Sequence, residues 1–145
     1  MISTSNLEIA KKEIKKSKKP IIVKAQDDQF NRKILEYGKF QILLSPESGE
    51  RKNKLRQIDS GFNHVLGKIA SKNKVAIGID LEEIKKLSKE EKGKRIAKIK
   101  QNIDICKKTN TKIKIIPNKS KKECFHFILS LGASTSQAKE ATKSF

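Results

Sequence analysis

Four short apolar runs, Ile21-Ile22-Val23, Phe40 to Leu44, Val75 to Ile79 and Ile113 to Ile116, recur between segments of helical periodicity. Runs this short, rich in β-branched residues, suit strands buried on both faces. Because they alternate with helices, the pattern predicts an α/β fold with parallel strands. Leu7, Ala10 and Ile14 mark an amphipathic helix from Asn6 to Ser17. Lys18-Lys19-Pro20 stops it, since the residue before proline is pushed out of the helical region. A second helix carries Phe30, Ile34 and Leu35 and ends at Gly38. Glu47 to Asp59 reads as a polar loop, after which Asp59 or Ser60 caps a helix whose Phe62, Val65, Leu66 and Ile69 share one face. After Val75 to Ile79 comes a charged connection, then a long helix marked by Ile96, Ile99, Ile103 and Cys106 with a basic outer face. Phe125, Ile128 and Leu131 predict a further helix capped at Leu131-Gly132, and Ser136 to Lys143 a last short one. At 145 residues the chain is expected to be one domain, residues 1–145. A closed eight-unit α/β barrel takes roughly 200 residues or more. About four strands cannot close one alone.

Charge narrows the partner. Lys+Arg 34 against Asp+Glu 16 gives +18, which points to an anionic partner and first to a nucleic acid. A genome biased toward lysine and isoleucine would raise Glu too, and the acids have not kept pace. No apolar run is long enough to cross a membrane, and the N-terminus shows no apolar signal segment, so a cytoplasmic chain with reduced thiols and no membrane contact is expected. Cys106, Cys124, His64 and His126 lack zinc-site spacing, and no glycine-rich phosphate loop follows a strand. No cofactor, metal or catalytic residue is therefore expected. Cys106 reads as core, His64 as a partly exposed structural histidine, and Asp27-Asp28 as a helix cap with turn chemistry.

The lysines are clustered. Ile105 to Lys122 holds Lys107, Lys108, Lys112, Lys114, Lys119, Lys121 and Lys122 and no acid. That stretch spans a helix end, a strand and a loop, so it is the expected segment for binding RNA or DNA. Arg32 and Arg51 join it, because arginine makes bidentate phosphate contacts that lysine cannot, and the chain has arginine only at 32, 51, 56 and 95. Lys11 to Lys24 carries seven lysines against one glutamate, but from Lys11 to Lys19 helical periodicity alone predicts a solvated face. With no Trp and one Tyr, backbone contact fits better than base stacking.

One segment carries a family resemblance. Asp59-Ser60-Gly61-Phe62-Asn63-His64-Val65-Leu66-Gly67-Lys68-Ile69-Ala70, followed by Asn73-Lys74-Val75-Ala76-Ile77, closely resembles the signature of archaeal ribonuclease P protein component 3. Asn31-Arg32, Ile42-Leu43-Leu44-Ser45-Pro46-Glu47, Arg95, Gln101-Asn102-Ile103, Leu131-Gly132 and Ala138-Lys139-Glu140-Ala141 are similar to further parts of its pattern, from about residue 7 to the end. Two departures stand out. The family begins with one or two additional strand–helix units, and its arginine-bearing segment after the last strand is here Pro117-Asn118-Lys119-Ser120-Lys121-Lys122. The resemblance implies a phosphatase-related, TIM-barrel-like α/β fold, truncated or open. It implies a subunit of the ribonucleoprotein that removes the 5′ leader from precursor tRNA. In that assembly the RNA is catalytic, and the protein stabilises it together with component 2 and other subunits. Asp59, Ser60, Gly61, Asn63 and His64 are then a structural motif, with Asn63 and His64 holding the loop. A chain with two open sheet edges is not expected to act as a solitary monomer. The alternatives are a metal-dependent phosphoesterase of the related barrel, disfavoured by the missing His-x-His, and a generic basic RNA-binding structural protein.

Overall fold

A computed structural model describes residues 1–49, 58–117 and 120–143. Helix α1 (Leu7–Lys16) leads into β1 (Ile22–Lys24), α2 (Asp28–Tyr37) and β2 (Ile42–Leu44). Then follow α3 (His64–Lys72), β3 (Ala76–Asp80), α4 (Leu81–Lys85) and α5 (Lys89–Thr109). Strand β4 (Ile113–Ile116), α6 (Lys121–Ser130) and α7 (Thr135–Thr142) complete the order. The strands form one parallel sheet in the order β1-β2-β3-β4. Helix starts follow local capping chemistry. The side chains of Asn6, Asp27, Asp80 and Ser88 accept backbone N–H bonds at α1, α2, α4 and α5, and Ser134 with Gln137 forms a reciprocal capping box at α7.

The register sorts the strand residues by face. Val23, Leu43, Ile77 and Ile113 pair in one row, joined by Ile79 and Ile115. This face shares a core with Ile14 of α1, Ile34 of α2, Leu66 and Ala70 of α3, Ile99 and Ile103 of α5 and Ile128 of α6. Ile42, Leu44, Ala76, Gly78 and Lys114 alternate with them and point the other way, yet are buried too. Both faces of the central strands are therefore covered, as their unbroken apolar character requires.

Four expectations need correction. Helix α3 is capped by Asn63, not by Asp59 or Ser60; Gly61 takes φ 72, a left-handed conformation that interrupts any helix begun earlier. Val65 stands on the exposed side of α3, leaving Leu66 and Ala70 to face the core. The charged connection after β3 is helical, made of α4 and the first turns of α5. The outer edge of β1 is not open, because Ile2 pairs with Val23, donating to the Ile22 carbonyl and accepting from the Lys24 N–H at 2.8 Å each. Cys106 is core as expected, and burial pushes its thiol up to about 12, so it stays protonated.

Candidate nucleic-acid interface

The signature segment builds the wall of an open cleft of about 570 Å³ between α2 and α5. The Asp59 carboxylate accepts the Gly61 N–H at 3.1 Å, and the Ser60 hydroxyl donates to the Phe62 carbonyl at 3.2 Å. The Asn102 amide of α5 donates to the Ser60 carbonyl at 3.3 Å, anchoring the turn. Asn63 then accepts the Leu66 N–H at 2.9 Å and starts α3. His64 is exposed and its side chain bonds to none of the described residues, so the loop is held by Asp59, Ser60 and Asn63. Asn63→Ala should therefore cost about 1 kcal/mol by loss of the cap. His64→Ala should stay within about 0.5 kcal/mol. Urea titrations of both variants test the pair, and a larger loss at His64 would reverse the assignment. Across the cleft, buried Asn31 clamps the β1–α2 turn through the Gln26 N–H and carbonyl at 2.7 and 3.2 Å. This turns Arg32 onto the rim, where it meets Glu36 at 3.0 Å.

The lysine-rich stretch is one segment in sequence but two surfaces in space. Strand β4 runs through the sheet and separates Lys107, Lys108 and Lys112 at the amino end of the strands from Lys121 and Lys122 at the carboxyl end. Lys114, in the middle of β4, is buried and turned inward. Its ammonium donates to the carbonyls of Glu140 at 2.9 Å and Lys143 at 3.3 Å and lies 3.5 Å from the Glu140 carboxylate. It fastens α7 to the sheet and is not presented to solvent. Partial burial would raise the Glu140 carboxyl, but Lys114 and Lys112 outweigh it and hold it below the ordinary value. Acids from outside the stretch also meet Lys108 (Asp104, 3.1 Å) and Lys112 (Glu140, 3.6 Å), and Lys107 donates to the Gly132 carbonyl at 3.0 Å. Lys121 and Lys122 are exposed and pair with no acid among the described residues. Arg51 and Lys119 lie outside the described residues.

Sequence reasoning missed a charged network at the carboxyl end of the sheet. Arg95 donates from Nε to Glu47 at 3.1 Å and from Nη2 to Glu83 at 2.9 Å, and Lys24 reaches the other Glu83 oxygen at 3.1 Å. The network joins the ends of β1, β2 and β3 to α5. Burial pushes the Glu47 carboxyl up against the pull of Arg95. At Glu83 the bonds from Arg95 and Lys24 overcome burial and lower it. Among the described residues no three His, Cys, Asp or Glu side chains gather as a metal site, and no helix is long and apolar enough to cross a membrane.

No protein-family model matches the chain. Among curated proteins, it is 30% identical over 117 residues to ribonuclease P protein component 3 of Methanococcus maripaludis strain C6, covering 79% of this chain and 47% of the relative. The same component of strain C7 is 29% identical over the same length, with the same coverage. That of Methanococcus vannielii is 30% identical over 95 residues, 66% of this chain and 38% of the relative. The chain thus spans about half the length of the Methanococcus maripaludis relatives it matches. In fold, it is similar to a chain of the cryo-EM structure of archaeal ribonuclease P with mature tRNA, at TM-score 0.79 and 23% identity, over 97% of this chain and 62% of that one. The signature from Asp59 to Ala70, set on a four-stranded parallel α/β sheet, is carried by a chain that resembles ribonuclease P protein component 3 over four-fifths of its length.

Proposed function

We propose that this chain is a protein subunit of archaeal ribonuclease P, the ribonucleoprotein that removes the 5′ leader from precursor tRNA. The similarity to component 3 across 117 residues carries the reading, and the net charge of +18 agrees with it. In this reading the particle's RNA performs the cleavage, and the chain binds and stabilises that RNA in the cytoplasm beside component 2 and other subunits. The four-stranded sheet is the arc of a phosphatase-related, TIM-barrel-like α/β fold. Arg32, Arg51, Lys107, Lys108, Lys112, Lys119, Lys121 and Lys122 are the cations assigned to phosphate; Lys114 is left out because its ammonium is spent inside the protein. Lysine contacts displace condensed counterions, so affinity falls steeply with salt. Sequencing the RNA that copurifies with the chain tests the assignment. Strong enrichment of one structured RNA together with precursor tRNA is expected. A spread of RNAs in proportion to their abundance would reduce the chain to a generic basic binder.

A further inference from the structure

All four strands run the same way, so every connection entering a strand emerges at one end of the sheet. Those connections are residues 17–21, 38–41, 73–75 and 110–112. Each carries lysine, namely Lys18 and Lys19, Lys39, Lys74 and Lys112, and none carries Asp or Glu. The helix ends that feed them add Lys15, Lys16, Lys72, Lys107 and Lys108, and all of these lysines are exposed. The acids that reach this end are Glu13 and Glu36 in the last turns of α1 and α2, with Glu36 already paired with Arg32, and Asp104 and Glu140, which meet exposed Lys108 at 3.1 Å and Lys112 at 3.6 Å. At the opposite end acids open the helices: Asp27 and Asp28, Asp80, Glu82 and Glu83, Glu90 and Glu91, and Glu123.

Helix dipoles explain part of this polarity, since cations are favoured in a last turn. That accounts for Lys15, Lys16, Lys72, Lys107 and Lys108. It does not account for the connections themselves. Lys39 and Lys74 hold left-handed backbone at φ 61 and 58, where glycine or asparagine would be less strained. The rim is also tied together. The Ile21 N–H donates to the Gln41 side chain at 2.7 Å, the Asn73 amide to the Leu35 carbonyl at 2.6 Å, and the Ser71 hydroxyl to the Asn110 carbonyl at 3.1 Å. The first bond joins two connections and the other two join a connection to the last turn of the neighbouring helix, so the lysines stand on a preorganised edge. With strands about 4.8 Å apart, four connections span roughly 14 Å. Tyr37, the one tyrosine, lies at this end with Lys11 and Lys39 each 5.3 Å from its ring centre, so its own lysines occupy it and it offers no platform for bases.

We propose that this amino end of the sheet is the principal RNA-contacting face, gripping the phosphate backbone of a folded RNA helix through Lys18, Lys39, Lys74 and Lys112, with Lys121 and Lys122 at the other end secondary to it. The proposal rests on the RNA-subunit reading above and names its surface. It brings in Lys18 and Lys19, which helical periodicity assigns to solvent. Recognition here is of backbone charge and helix shape, not base identity.

The test titrates the full chain with a tRNA transcript bearing a 5′ extension, across a salt series. One variant combines Lys18→Gln, Lys39→Gln, Lys74→Gln and Lys112→Gln; a second, of equal charge, combines Lys85→Gln, Lys86→Gln, Lys89→Gln and Lys92→Gln. The first should lose at least about tenfold in affinity and flatten the log–log salt slope by about 3, while the second loses less than about threefold. A third variant, Lys39→Asn with Lys74→Asn, suits the left-handed backbone. It should keep its melting temperature and still bind RNA more weakly, which separates contact from folding. Equal losses from the two fourfold variants, or a larger loss from the second, would overturn this face while leaving the RNA reading standing. Failure of the unaltered chain to bind the transcript would overturn both.

Discussion

Arg95→Met should destabilise the fold by about 3–5 kcal/mol, because it strands a buried carboxylate. Glu47 is 2% exposed and Arg95 is 8% exposed, so water cannot replace the 3.1 Å bond between them. Glu83 would suffer less, since it is partly exposed and keeps Lys24 at 3.1 Å. The loss should depend on pH. Burial already raises the folded-state value of Glu47, and without Arg95 it rises further. A carboxyl raised on folding favours the native state below its unfolded value and penalises it as pH climbs through the folded one. Glu83, held low in the parent chain, works the other way: its contribution is present above the unfolded value and fades as pH falls. Both trends make the gap between parent and variant widest near neutral pH and narrower in acid. Urea titrations from pH 4 to 7 measure it. Adding Glu47→Gln should recover a large share of the loss, since the stranded charge is then gone. A deficit under about 1 kcal/mol for the single variant, or one that widens in acid, would show that the pair does not hold the three strand ends together.

The strands are legible in the sequence because each is a few apolar, β-branched residues between breakers, a pattern that leaves few alternatives. Helices α1, α2 and α7 are legible within a residue or two because their caps are polar residues at standard offsets. Asp59-Ser60-Gly61 misleads for an equally physical reason. It has the composition of a cap, but its bonds close a turn around Gly61, and the same chemistry is performed later by Asn63. The start of α5 is hidden because its first turns face solvent and show no apolar period before Ile96. Arg95 and Glu47 stand 48 residues apart, and no local signal links them; only the parallel order of β1 to β3 brings their neighbourhoods together. The acid-free stretch misleads because proximity along the chain is not proximity in space when a strand crosses the sheet. The opposite holds for Lys18, Lys39, Lys74 and Lys112, which are scattered in sequence and gathered by topology.

The two ends of this sheet are put to different uses. In α/β folds small ligands commonly bind beyond the carboxyl ends of the strands. Here the carboxyl ends of β1, β2 and β3 are bound to one another through Lys24, Glu83, Arg95 and Glu47, so the buried cations there already have carboxylates. A phosphate arriving at Arg95 would have to displace two of them. The amino end carries exposed lysines on short, cross-linked connections and suits a long polyanion. The helix dipole contributes to this difference by drawing acids to helix starts and lysines to helix ends, and the lysines on the connections add to it.

Gly67→Ala and Gly93→Ala should change stability in opposite directions, although both glycines lie inside helices. Alanine is favoured over glycine in a helix interior by about 1 kcal/mol. Gly93 should gain about that much, since an alanine methyl there would meet none of the described residues within 4 Å. Gly67 lies where α3 approaches the end of α5. A methyl there would sit 2.6 Å from the Thr109 hydroxyl, 2.8 Å from its Cγ2 and 3.0 Å from its Cβ. Thr109 cannot swing away cheaply, because its hydroxyl donates to the Ile105 carbonyl at 2.8 Å, and Thr111 packed beside it donates to the Gly67 carbonyl at 2.8 Å. Overpacking at such a contact costs about 1–3 kcal/mol, enough to exceed the helix gain. Of the two glycines in the signature, Gly67 is thus required by helix contact, whereas Gly61 is required by its left-handed backbone at φ 72. Thr109→Ala introduced alongside Gly67→Ala should return most of the loss, and the coupling between the two changes is the quantity to measure. If Gly67→Ala alone were as stabilising as Gly93→Ala, α3 and α5 would not be in the close contact that sets His64 and Val65 beside the cleft.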